Sequence, residues 1–147
     1  MSRGKRYGDW VIGETIKTSG RTVTESDVTR FAGLSGDYNQ LHTDAEFAKK
    51  NTPYGERIAH GALTFSIATG LMDHSGLIEG VVVGFLGANL KWPAPVLFGD
   101  TIHLEVTAVD KKPTKNPKRG IVTLNVKVVN QNDVVVGDEE WTIMFVV

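Results

Sequence analysis

The sequence predicts an α+β fold in which an antiparallel sheet curls round one central helix. Between Arg57 and Asp73 the chain contains no Asp, Glu, Lys or Arg, so we predict a buried helix that other structure encloses. Four segments of strand character follow this helix and one precedes it. The segregation of strands from helices along the chain indicates the α+β class.

Shorter elements are predicted before the central helix. Residues 15–23 form a strand candidate. Thr24 precedes acidic residues and is typical of a helix N-cap, so a short helix is expected up to Gly33. A second short helix is expected over residues 43–48, and Pro and Gly within residues 51–56 separate it from the central helix.

The second half of the chain has the patterns of β-strands. Apolar and polar residues alternate over residues 101–109 and again over 121–129, as in strands with one buried face. Gly84 and Gly87 predict a bulge or a close approach of the helix. The predicted strands span residues 81–92, 101–109, 121–129 and 134–147, with a hairpin turn at 131–133.

Length and composition limit the possible classes of protein. The 147 residues fit one domain spanning 1–147, because single domains commonly have roughly 100–150 residues. With no Cys and a net charge of −1, we expect no disulfide, no thiolate–zinc site and no nucleic-acid surface. No signal peptide or membrane-spanning segment is expected, and a cytoplasmic location is predicted.

The segment over residues 35–42 concentrates the chemistry of the chain. It places Asp37, Asn39 and His42 close together after Gly36, which permits a tight turn. A carboxylate beside an imidazole is suited to general acid–base catalysis. The same residue types are common in turns, so a purely structural role is the alternative at this point.

The start of the central helix is a second candidate site. The first N–H groups of a helix have no partner within it and carry partial positive charge, so Gly61 N–H is a candidate donor to a developing oxyanion. We expect the missing side chain of Gly61 to let a substrate approach the backbone. His60 is interpreted as a polar residue bonded to the backbone. Asp37, His42, Asp44 and His60 include metal-ligand types, but their spacing matches no metal motif, and no metal is predicted.

Residues 31–48 resemble the signature of the MaoC-like, or (R)-specific enoyl-CoA hydratase, family. The matching features are an aromatic residue, Gly-Asp-x-Asn and an apolar residue before His42. Gln40 stands where the family has Pro. The resemblance implies a hot-dog fold and hydration of 2-enoyl thioesters, with Asp37 and His42 activating one water, Gly61 completing the catalytic set, and Asn39, His60 and Ala62 binding substrate. The connection over residues 92–101 also resembles the family.

The resemblance also implies the partners of the chain. We expect an acyl-CoA or acyl carrier protein thioester as substrate, no cofactor, and a homodimer or higher homo-oligomer. Five basic residues within 111–119 would attract the phosphates of such a carrier, although a charged hairpin loop without function is the alternative. A thioester hydrolase and a non-catalytic acyl-binding domain are the competing functions.

Overall fold

The computed structural model describes residues 4–147 and confirms the α+β class. Its helices are α1 (Glu25–Ser35), α2 (Gln40–Thr43), α3 (Ala45–Asn51) and α4 (Gly61–His74), after a 3₁₀ turn at Tyr7–Asp9. Its strands are β1 (Thr15–Lys17), β2 (Arg21–Thr22), β3 (Val82–Lys91), β4 (Thr101–Pro113), β5 (Arg119–Val129) and β6 (Val135–Val146). Within this range no helix is long and apolar enough to span a bilayer.

The strands form one antiparallel sheet in the order β1-β4-β5-β6-β3, and β2 also pairs with β4. Strands β4, β5 and β6 follow one another through hairpins, which keeps neighbours in sequence adjacent in the sheet. Strand β3 occupies one edge. Its pairing with β6 shifts register before Gly84 and before Gly87, which confirms the predicted bulge.

Two predicted strand boundaries are wrong. Residues 15–23 form two short strands, because Thr18 Oγ1 accepts a hydrogen bond of 2.9 Å from Leu104 N. A side chain there takes the place of a backbone acceptor and interrupts the ladder. Strand β4 continues to Pro113, past the predicted end at residue 109, so Lys111 and Lys112 belong to the strand.

The core lies between α4 and the inner face of the sheet. One side of α4 is buried, and the residues it packs with are the inward members of the long strands. The opposite side carries Ala62, Ser66 and Gly70, which are exposed. The expectation that the sheet encloses the whole helix is therefore wrong for a single chain, since the sheet contacts α4 from one side.

Glu139 is an acidic residue within this core. It is 1% exposed and shares the inner face of β6 with Trp141, whose Nε1–H donates to Glu139 Oε2 at 2.6 Å. Burial raises the pKa of Glu139 to about 7, and the hydrogen bond from Trp141 opposes this effect. Glu139 Oε1 has no hydrogen-bond partner in the described chain. The carboxyl group is thus largely neutral below pH 7.

Glu139→Gln should remove part of the pH dependence of stability. Between the unfolded pKa of 4.5 and the folded pKa of about 7, the native chain binds more protons than the unfolded chain. The free energy of unfolding therefore falls as pH rises through this window, by up to roughly 3 kcal/mol. Glutamine remains neutral and accepts the hydrogen bond from Trp141, so the variant should lack this fall.

Urea unfolding of the wild type and of Glu139→Gln from pH 4.5 to pH 8 measures the free energy of unfolding of each protein. The difference between the two profiles gives the contribution of Glu139 alone, because the other titrating groups are common to both. Glu140→Gln is the matched control, because Glu140 is exposed on the opposite face of the strand and should leave the profile unchanged. Parallel profiles for the wild type and Glu139→Gln would contradict the prediction.

Candidate active site

The loop after α1 carries the first candidate residue. Thr24 and Asp27 form a capping box at the helix start, as the sequence indicates, and the helix ends at Gly36, whose φ is +78° and whose N–H bonds Ala32 O. This left-handed conformation favours glycine. It reverses the chain so that Asp37 leaves the helix at an exposed turn.

Asn39 shapes this loop and starts α2. Its Oδ1 accepts a hydrogen bond of 3.0 Å from Leu41 N, and its own N–H donates to Asp37 Oδ1 at 3.1 Å. Asparagine is a favoured N-cap because its side-chain oxygen satisfies a free N–H of the first turn. His42 lies in this single turn of α2, so the contacts of Asn39 connect the Asp37 carboxylate to the start of the helix that carries His42.

His42 is held in one tautomer by the backbone. Its Nδ1 lies 2.8 Å from Ile58 O, and since a carbonyl only accepts, Nδ1 carries the proton in the neutral ring and Nε2 has a free lone pair. Burial lowers the pKa of His42, with a further lowering from His60, while the Ile58 bond and Asp37 oppose it. The neutral ring is therefore favoured.

His60 supports both candidate catalytic residues. Its ring stacks on the ring of His42 with a centroid distance of 3.8 Å, and the ring of Phe31 makes an edge contact with it at a centroid distance of 4.9 Å. The Nε2–H of His60 donates to Asp37 O at 2.9 Å. The side chain is 2% exposed. The interpretation of His60 as a residue bonded to the backbone agrees with this geometry.

Asp37, His42 and His60 lie close enough to consider a metal, since one ligand-type atom of each lies within 4.8 Å of the others. The two imidazole rings, however, stack at an interplanar angle of 29°. Lone pairs of ring nitrogens lie in the ring plane, so stacked rings direct them side by side rather than toward one ion. The arrangement fits a proton-transfer pair better than a coordination site.

A cavity of about 260 Å³ lies beside His42. Gly61 lines it at the N-terminus of α4, where no side chain caps the helix. Hydrogen bonds from Ile58 and Ala59 hold the approach to α4 against neighbouring segments. The cavity is lined by Leu41, His42, Tyr54, Ile58, Ala59, Gly61, Thr64, Trp92, Pro93, Ala94, Pro95, Val96 and Val136. An apolar hollow with few polar groups is typical of a small-molecule site.

The reason given for Gly61 from sequence needs correction. A Cβ on Gly61 would lie 2.7 Å from Cε2 of Trp92, so the indole fills the space that was expected to admit the substrate. The role of Gly61 N–H as an oxyanion donor stays a prediction. Sequence reasoning missed Trp92 and Tyr54 as cavity residues. The only signal for Trp92 was its place between a strand and two prolines.

Other predicted site residues lie elsewhere. In the described chain, His42 and Gly61 line the cavity, whereas Asp37, Asn39, His60 and Ala62 are not among its lining residues. Ala62 lies on the open face of α4. The basic residues within 111–119, here called the basic turn, lie at the end of β4 opposite Thr101. The 13 residues of β4 span about 40 Å at the usual rise of a strand. Within one chain it is remote from the cavity.

Two curated relatives share this region of sequence. A model of the MaoC like domain matches residues 9–130. Protein MaoC of Klebsiella aerogenes is 37% identical over 99 residues, which cover 67% of this chain and 29% of that protein. The (R)-specific enoyl-CoA hydratase of Rhodospirillum rubrum is 35% identical over 95 residues, with 65% and 64% covered. The chain thus matches less than two thirds of the length of either relative.

Solved structures agree with this assignment. A protein described as a monoamine oxidase regulatory protein from Archaeoglobus fulgius superposes with a TM-score of 0.88 at 37% identity, covering 97% of this chain and 95% of that one. A Mycobacterium tuberculosis protein described as a double hot-dog fold superposes at 0.83 with 20% identity, covering 98% and 44%. The fold is a hot-dog fold, and the chain belongs to the MaoC-like domain family.

Proposed function

We propose that this chain catalyses the (R)-specific hydration of 2-enoyl thioesters, or the reverse dehydration, with Asp37 and His42 as the acid–base pair. The proposal rests on one observation. The exposed carboxylate of Asp37 lies within 4.8 Å of a ring nitrogen of His42, and this imidazole has a defined tautomer and lines an apolar cavity. The family supports a hydro-lyase, and one relative is named an (R)-specific enoyl-CoA hydratase.

In this mechanism, Asp37 and His42 hold one water against C3 of the bound enoyl group. As the water oxygen bonds to C3, one member of the pair takes a proton from it. A proton is delivered to C2 from the same face, so the elements of water add across the double bond. The negative charge that develops on the thioester oxygen would be stabilised by Gly61 N–H at the uncapped start of α4.

Asn39 and His60 act as positioning residues in this proposal. Asn39 caps α2 and so places His42, while His60 holds the Asp37 backbone and stacks on His42. Proton transfer requires donor and acceptor within hydrogen-bond reach, so the rigidity of these contacts bears directly on rate. Asn39 and His60 would thus act through their contacts with Asp37, Leu41 and His42 and not on the reacting atoms.

The proposed substrate is an acyl-CoA or acyl carrier protein thioester. Because the basic turn is remote from the cavity within one chain, other residues of that chain would recognise the carrier. The cytoplasmic location stays a prediction from the cysteine-free sequence. A non-catalytic role is the second candidate, because one well-superposed relative is described as a regulatory protein.

Asp37→Asn and His42→Ala should each lower kcat on crotonyl-CoA by about 10²–10⁴-fold, the usual contribution of a general acid or base. The loss of enone absorbance measures turnover, and thermal melts check folding. Asp110→Asn is the matched control, since Asp110 is an exposed residue near the far end of β4.

Near-wild-type turnover in either site variant would contradict the assignment. Release of free thiol by the wild type would identify a thioester hydrolase instead. Binding of crotonyl-CoA with neither change would support the non-catalytic candidate.

The acid limb of kcat/KM should have its midpoint below pH 6.5, the ordinary pKa of histidine. Here we propose His42 as the member of the pair that accepts the proton. Burial lowers the pKa of His42, so its neutral form persists to lower pH. A pH–rate profile on crotonyl-CoA measures this limb. Glu139→Gln is the control for the other group that titrates near neutrality, and it should keep the same midpoint. A midpoint above pH 6.5 would contradict a buried, neutral His42 as the base.

We propose a homodimer formed through the free edge of β3. This edge strand carries exposed apolar residues, among them Phe85 at 43% and Leu86 at 50% exposure, and an open apolar edge is otherwise an aggregation hazard. Leu86→Glu should convert a species of twice the chain mass into a monomer in light scattering after gel filtration. Val109→Glu alters a valine on β4 that is 45% exposed, and this variant should stay dimeric. A monomeric wild type would contradict the proposal.

A further inference from the structure

Trp92 is a large aromatic residue in the wall of the cavity beside His42. Its side chain is 46% exposed, although it lines the same cavity as His42 and Gly61. Trp92 directly follows β3 and precedes Pro93 and Pro95. The backbone of Trp92 therefore has little conformational freedom. An indole held open to a concave site offers a rigid apolar contact surface for a ligand.

The indole of Trp92 lies against the first residue of α4. A Cβ built on Gly61 would be 2.7 Å from Cε2 and 2.9 Å from both Cδ2 and Cζ2 of the ring. Carbon atoms in proteins do not approach so closely, so the glycine and the indole are matched in shape. Any group that binds Gly61 N–H therefore lies next to the indole.

This contact limits the space around a bound thioester. A carbonyl oxygen within about 3 Å of Gly61 N brings the carbonyl carbon and C2 of the acyl group to the side of the ring. With the carbonyl in that position, the ring would occupy the space that a substituent on C2 needs.

We propose that Trp92 contacts the thioester and restricts this site to acyl groups without a substituent at C2. The inference rests on the proposed function for its effect on turnover, but it makes a separate statement about binding. Trp92 is thus a specificity-determining residue whose ring, packed on Gly61, sets the width of the pocket beside the carbonyl. Replacing the ring with a small side chain widens the pocket there.

The first test compares kcat/KM for crotonyl-CoA and for its 2-methyl derivative, tiglyl-CoA. The wild type should prefer crotonyl-CoA by about 10-fold or more, the discrimination expected for one misplaced methyl group, and Trp92→Ala should reduce that ratio about 10-fold. Trp10→Phe is the control, because Trp10 is 3% exposed in the core and lines no part of this cavity. It should lower the melting temperature without changing the ratio.

The second test measures binding without turnover. By calorimetry the wild type should bind butyryl-CoA more tightly than 2-methylbutanoyl-CoA, and the two Kd values should converge in Trp92→Ala. Such convergence in a protein that hydrates no enoyl thioester would support the role of Trp92 while overturning the proposed function. An unchanged ratio in Trp92→Ala, or no binding of butyryl-CoA by the wild type, would overturn the inference itself.

Discussion

The burial of one side of α4 against the curved sheet is the constraint on which the rest of this molecule depends. The buried side chains of α4 and the inward residues of β4, β5 and β6 form a single cluster, and apolar burial of this kind is the dominant stabilising term in folding. Because α4 is held along its length, its first residues have a defined position. His60 and Gly61 belong to that start, so the core fixes half of the candidate site.

The other half is attached to this start by hydrogen bonds between imidazoles and backbone carbonyls. His60 donates to Asp37 O, and His42 bonds Ile58 O. Each bond links segments that are distant in sequence, and each also selects a tautomer. These bonds hold a largely exposed loop against a buried helix end. The loop is therefore open to a substrate and still has the fixed geometry that the proposed proton transfer needs.

Burial shifts the pKa values of two titratable groups in opposite directions. It lowers the pKa of His42 and raises the pKa of Glu139, because in both cases the low-dielectric surroundings disfavour the charged form. For His42 the result is a neutral imidazole beside the cavity. For Glu139 it is a neutral acid in the core, bonded to Trp141, whose ring also contacts Phe65 of α4. The same effect of burial therefore favours the neutral imidazole at the candidate site and makes the stability of the core depend on pH.

Local periodicity, capping and a short motif were enough to predict the class of fold, the central helix, the four long strands and the closeness of Asp37 to His42. The contacts of His60 and Trp92 could not be predicted in this way, since their partners, Asp37 and Gly61, are brought to them by packing between segments far apart in the chain. The split of the first strand at Thr18 and the open face of α4 were likewise beyond local patterns. Both depend on which residue of the sheet faces them, and a one-dimensional pattern carries no such register.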